Sequence, residues 1–162
     1  MTIRPVTTHD HDGLWSIIQP VIQAGDTYVY APDTPREAML AIWLADSKHT
    51  YVAEQEGVIM GTFFICANQP GLGAHVANAG YMVHPDHRGK GIAKQLCLFS
   101  LTEARRLGFR AMQFNAVVAT NTVAVRLWEQ CGFRRVGTVP KAFQHQTLGL
   151  VDTYVMHQRL GD

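Results

Sequence analysis

Arg88, Gly89, Lys90 and Gly91 stand between an apolar run, Ala79-Gly-Tyr-Met-Val83, and an amphipathic one that opens with Ile92-Ala93. Glycines that bend the chain tightly let successive N–H groups point into one concavity, and a following helix adds partial positive charge there. Arg88 and Lys90 add full charges, so the unit suits a pyrophosphate. It is not a P-loop, because no Gly-x-x-x-x-Gly-Lys-Ser/Thr order occurs, and the third glycine of a dinucleotide fingerprint is missing after Gly89 and Gly91.

Other residues offer chemistry with less pattern behind them. His75 and His145 are of a residue type that can serve as a general base, although each reads first as a surface or structural histidine. His84 and His87 have ligand-like spacing but no third partner nearby, so no metal site is expected. Cys66, Cys97 and Cys131 are scattered through apolar segments and read as buried free thiols.

These residues need a scaffold, and the chain of 162 residues is long enough for one domain, 1–162, with a real core. With 47% apolar and 17% charged residues and a net charge of +1, nothing suggests a nucleic-acid partner or an anionic membrane surface. No apolar run reaches the roughly 18 residues of a membrane span, and the N-terminus reads as a strand, so a cytoplasmic protein is expected.

Ile3 to Val6 reads as a strand, followed by a helix that Asp10 or Asp12 can cap and Gly25 ends. After the loop from Asp26 to Pro32, Thr34-Pro35 opens a second helix. Residues 50–56 and 58–66 form a hairpin turning at Glu56-Gly57, and residues 75–83 return as a central strand. A long helix follows from about Gly89 to Leu107, then a strand at 111–118 and a helix from Asn121 that Gly132 stops. Residues 133–139 and 151–157 make the last strands, with a loop from Pro140 to Gly149 between them. The order β-α-α-β-β-β-α-β-α-β-β predicts a mixed α/β sheet with helices on both faces.

Arg88, Gly91 and Ala93 fill the pattern R-x-x-G-x-A behind Val83-His84-Pro85, which resembles the acetyl-CoA-binding motif of the GNAT superfamily of N-acetyltransferases. A second patch, Asn121-Thr-Val-Ala-Val-Arg-Leu-Trp-Glu-Gln-Cys-Gly-Phe133, is similar to the family's Asn, Ala/Ser, Leu-Tyr-Glu-x-x-Gly-Phe segment. Gly137-Thr-Val-Pro and Val151-Asp152 resemble the phosphinothricin and methionine-sulfone branch, and the tryptophan-bearing helix resembles the proline-analogue acetyltransferases.

The resemblance implies a GNAT fold along essentially the whole chain: about seven mixed strands, four helices on both faces and a splayed acetyl-CoA cleft. It implies acetyl-CoA as co-substrate, its pyrophosphate on the main chain of Arg88, Gly89, Lys90, Gly91, Ile92 and Ala93. In the family the strand before this turn parts from its neighbour at a bulge, and pantetheine fills the gap beside the residues corresponding to Tyr81, Met82 and Val83. The Val83 N–H would polarise the thioester carbonyl, with Asn121, Ala124 and Trp128 beside the pantetheine arm.

Two positions depart from the pattern. Trp128 replaces the tyrosine that protonates the leaving thiolate, and an indole N–H cannot surrender a proton near neutral pH. Asn78 sits near the place of a basic glutamate and cannot accept a proton. On the acceptor side, Tyr28, Tyr30, Asn78, Phe143 and His145 are the expected contacts. The expected activity is acetylation of a small-molecule amine such as an amino acid or analogue. The alternatives are acetylation of a protein N-terminus or lysine, and a non-catalytic acyl-CoA sensor. A homodimer is a family-level expectation.

Overall fold

A computed structural model describes residues 1–161. The strands are β1 (Thr2–Pro5), β2 (His49–Gln55), β3 (Val58–Ala67), β4 (Val76–Val83), β5 (Ala111–Val118), β6 (Arg134–His145) and β7 (Gly149–Arg159). The helices are α1 (His11–Ala24), α2 (Arg36–Trp43), α3 (Ile92–Arg106) and α4 (Thr122–Gln130). The seven strands form one sheet ordered β1-β2-β3-β4-β5-β7-β6, in which only β4 and β5 run parallel. The expected mixed α/β sheet of seven strands with four helices on its two faces is the one observed.

Strand alternation divides the core. Tyr51, Phe63 and Tyr81 face Leu96, Cys97 and Leu101 of α3 and Val125 of α4 on one side. Val52, Phe64 and Met82 face Leu14, Ile18 and Ile22 of α1 and Met39 and Trp43 of α2 on the other. A buried polar chain ties α2 to the sheet: the Trp43 indole donates to Thr62 Oγ1 (3.0 Å), and Thr62 donates to the Tyr51 carbonyl (2.8 Å). Each buried polar atom therefore has a partner, which removes the desolvation cost of burying it.

Four local expectations change. Asp10 does not cap α1 with its carboxylate; it reaches back to the Thr7 N–H and forms a paired contact with the Arg4 guanidinium, which holds its carboxyl down to about 2. Thr34 does not cap α2 either, because its hydroxyl donates to the Ala31 carbonyl and Pro35 takes the capping position. The third helix starts at Ile92 rather than Gly89, since Gly91 sits in the left-handed region (φ 77°) and breaks the helical path. Finally, β6 runs on to His145. Pro140 and Lys141 fall in a bulge between Val139 and Phe143, the place where a strand tolerates proline, and the Lys141 N–H donates to Asp152 Oδ1 (3.0 Å). The connection to β7 is therefore a short turn, and Phe143 and His145 stand on a strand.

Candidate active site

β4 and β5 pair only at Val76↔Ala111 and Ala77↔Met112, then part. The β3–β4 register runs without interruption from Gly61↔Val83 to Ala67↔Ala77. The splay therefore opens with β4 unbulged, against expectation. The irregularity nearby lies on β5, between Phe114 and Val117 where it meets β7.

Alternation of the backbone fixes which β4 amides face the opening. The His84 N–H donates to Met60 on β3 (2.9 Å), so Val83, Tyr81 and Ala79 direct their amides the other way. The Ala79 N–H is taken by Oδ1 of Asn78 (2.9 Å), and the Tyr81 N–H by the hydroxyl of Tyr28 (2.7 Å). Val83 has no strand partner on that side among the described residues. It is the cleft-facing amide of β4 that no other group of the described residues occupies.

Beyond Val83 the chain makes a short 3-10 turn, Pro85–His87, and then passes through Arg88 and Lys90, both exposed. Gly89 and Gly91 have φ of 75° and 77°, and a Cβ on either would meet no protein atom within 4 Å. Glycine is needed here for backbone conformation, not for packing. No side chain caps α3, and its first backbone bond runs from the Gln95 N–H to the Gly91 carbonyl. The preceding N–H groups at Ile92 and Ala93 are thus free to receive phosphate oxygens, in a local field that favours negative charge. Ile92 contributes only main chain, for its side chain is in the core.

On the opposite rim, Asn121 caps α4, with Oδ1 accepting from the Ala124 N–H (3.3 Å). Its Nδ2 has no partner among the described residues and can donate to a pantetheine amide, whereas the Ala124 N–H is already used. Trp128 is half-buried and packs on Tyr81 (centroids 4.9 Å apart) and Phe114 (5.2 Å).

The acceptor residues come from far apart in the chain. A cavity of about 530 Å³ is lined by Tyr28, Tyr30 and Pro32 from the loop after α1 and by Phe143, His145 and Gln146 from the β6–β7 hairpin. Tyr28 and Tyr30 stack with ring centroids 5.8 Å apart. The Gln146 N–H donates to the Gly25 carbonyl (3.0 Å), bridging the two walls. Among the described residues that line the cavity, only the two tyrosines and His145 can ionise, and none is a carboxylate.

His145 Nδ1 accepts from the Thr147 and Leu148 N–H groups (3.1 and 3.2 Å), which places its proton on Nε2. It shapes the hairpin turn rather than presenting a free basic nitrogen. Asn78 lies outside the cavity, across from Cys66 on β3. His75 is exposed beyond the paired end of β4, away from the splay, and its carbonyl accepts from the Arg110 N–H.

His84 and His87 flank a different cavity, with Arg4 and Asp10. The His84 Nδ1 accepts from the Asp86 N–H (3.1 Å). Among the described residues no group of three or more His, Cys, Asp or Glu could hold a metal ion, and no helix is long and apolar enough to cross a membrane. The cysteines are unpaired, Cys66 half-buried and the others buried.

Sequence reasoning missed the Tyr28–Tyr81 contact, made between residues 53 positions apart, which no local pattern signals.

Comparison with known proteins agrees with this geometry. Among curated relatives, the N-acetyltransferase aca1 of Schizosaccharomyces pombe is 41% identical over 60% of this chain and 47% of its own length. The L-methionine sulfoximine/L-methionine sulfone acetyltransferase of Salmonella typhimurium is 32% identical over 56% of this chain and 53% of its own. These alignments thus span about half the length of each of these two relatives. A GCN5-related N-acetyltransferase from Kribbella flavida superposes with a TM-score of 0.92 at 41% identity, over 98% of this chain and 96% of that one. The family model for the acetyltransferase (GNAT) family matches residues 17–133, and the chain belongs to that family.

Proposed function

We propose that the chain is an acetyl-CoA-dependent N-acetyltransferase whose acceptor is the amine of a small molecule, of the size of an amino acid or its analogue. One observation carries this reading: Tyr28 lines the aromatic cavity while its hydroxyl touches the Tyr81 main chain at the splay. Acceptor cavity and thioester cleft therefore meet at one strand edge. The Gln146–Gly25 bond ties the two walls of the cavity together, which supports a compact acceptor over an extended peptide.

Acetyl-CoA bound at the α3 turn supplies an activated acyl carbon next to Val83. The Val83 N–H stabilises negative charge on the carbonyl oxygen as the amine adds to that carbon. The C–N bond forms, the C–S bond breaks, and the proton released from the nascent ammonium goes to the departing thiolate. No carboxylate among the described residues lines the acceptor cavity, so the amine enters the reaction as its neutral form. The chain's contribution is thus positioning and main-chain hydrogen bonding rather than strong acid–base assistance.

A thiol-release assay with acetyl-CoA tests this reading, using a panel that includes L-methionine sulfone, other amino acid analogues and short peptides with free N-termini. Release with the small amines and not with the peptides is the expected result. Acetylation of peptides alone would move the acceptor to proteins. Tight acetyl-CoA binding with no release across the panel would make the chain a sensor.

A further inference from the structure

Tyr28 is among the expected acceptor contacts, yet its hydroxyl is committed elsewhere. It donates to the Tyr81 carbonyl (2.7 Å) and accepts from the Tyr81 N–H (2.7 Å). These are the two groups that β5 would engage if the strands zipped together beyond Ala77 and Met112. A side chain from the loop after α1 thus takes the place of a strand partner in the middle of the splay. Gly80 makes room for it: a Cβ there would lie 3.2 Å from the Tyr28 hydroxyl and 2.7 Å from the Phe64 ring.

The same residue is pinned from the other face. The Tyr81 ring packs on Trp128, and its hydroxyl lies 2.6 Å from Ser100 Oγ on α3, which itself donates to the Cys97 carbonyl. Tyr81 is therefore fixed through its backbone by the acceptor loop and through its side chain by α3 and α4. Val83 follows two residues later on the same strand edge.

We propose that Tyr28 is a positioning residue for acetyl transfer: its hydroxyl clamps the Tyr81 peptide, holds β4 away from β5, and aims the Val83 N–H at the thioester. The proposal rests on the acetyltransferase reading and gives the acceptor loop a second task, that of bracing the cofactor cleft. With Asn78 on Ala79 and Tyr28 on Tyr81, side chains take two of the three cleft-facing amides and leave the third for ligand. Burial pushes the Tyr28 phenol well above its ordinary range, so it stays protonated and can donate and accept together at any working pH.

Tyr28→Phe keeps the aromatic wall and removes only the clamp. With L-methionine sulfone, or whichever small amine gives the highest thiol release, kcat should fall on the order of 10–100-fold, as expected when buried peptide groups lose their partner. The acceptor KM should change by less than about twofold, since the ring stays. Tyr30→Phe, on the neighbouring ring, should instead shift the acceptor KM. An unaltered kcat in Tyr28→Phe, or an effect confined to acceptor KM, overturns the proposal. Amide hydrogen exchange on the wild-type protein tests the clamp even if the variant does not fold. The Tyr81 amide should be protected without ligand, and the Val83 amide only after acetyl-CoA is added. A Tyr81 amide exchanging as fast as Val83 in the free protein would also overturn it. Wild-type protein that turns over no amine would sink the acetyltransferase reading, and the exchange result would still decide the clamp.

Discussion

The two sides of the cleft are built from different material. On the side proposed for acetyl-CoA, the groups available are chiefly main-chain amides at Val83, Ile92 and Ala93, held by a strand edge, two left-handed glycines and an uncapped helix start, with the Asn121 amide beside them. Toward the acceptor, they are side chains of Tyr28, Tyr30, Phe143 and His145, carried by a loop and a hairpin more than a hundred residues apart. A main-chain site depends on conformation and tolerates wide variation in side chains. A side-chain site depends on identity, and its specificity can change without touching the fold.

That difference explains what is legible in the sequence. The turn at Arg88–Ala93 is legible because glycine at a left-handed position and a charge-flanked helix start are local signals. The sheet and its helices are legible for the same reason, through periodicity and the punctuation of Gly25, Gly57 and Gly132. The acceptor cavity is only half legible. Its tyrosines and Phe143 stand out as aromatic residues in polar stretches, but Pro140 disguises the continuation of β6 and so hides that Phe143 and His145 stand on a strand. That His145 shapes its own turn, and that the Tyr28 hydroxyl belongs to β4, depend on contacts with no signature in spacing.

The contrast is broken most directly at Gly91. A valine there must adopt a φ near 77° that β-branched residues resist, at a cost of roughly 1–3 kcal/mol, although it would meet no protein atom. Acetyl-CoA affinity measured by calorimetry should fall on the order of 10–100-fold. Gly91→Asn, which tolerates this conformation, should lose far less. Equal losses for both would mean that side-chain bulk, not backbone conformation, governs the site.

Tyr30→Ala attacks the other side. Removing half of a stacked aromatic pair should raise the acceptor KM about 5–30-fold and leave acetyl-CoA affinity alone. A matching loss in acetyl-CoA affinity would show the two walls to be one cooperative unit.

Among the described residues neither side places a carboxylate in the acceptor cavity, and this bears on pH. A neutral amine is the reactive species, so kcat/KM should rise about tenfold per pH unit below the pKa of the amine itself and level off above it. Exchanging one acceptor for another of lower pKa should move the plateau by the same interval. A break that stays fixed while the acceptor changes would reveal a base supplied by the protein.

The smallest effect is expected at Trp128, where the two materials meet. Its ring packs on Tyr81 and Phe114, and its indole N–H cannot give up a proton to the thiolate. Trp128→Phe keeps an aromatic face against Tyr81 while deleting the N–H, so kcat should stay within about threefold, the loss reflecting weaker packing. Trp128→Tyr adds a phenol at the position where the family pattern has tyrosine. If thiolate departure limits the rate, this variant should exceed the wild type; parity would place the slow step at amine addition, where the Val83 amide acts. A large loss in Trp128→Phe with acetyl-CoA affinity intact would instead make the indole N–H a participant in the chemistry, and the cofactor side could no longer be described as chiefly main chain.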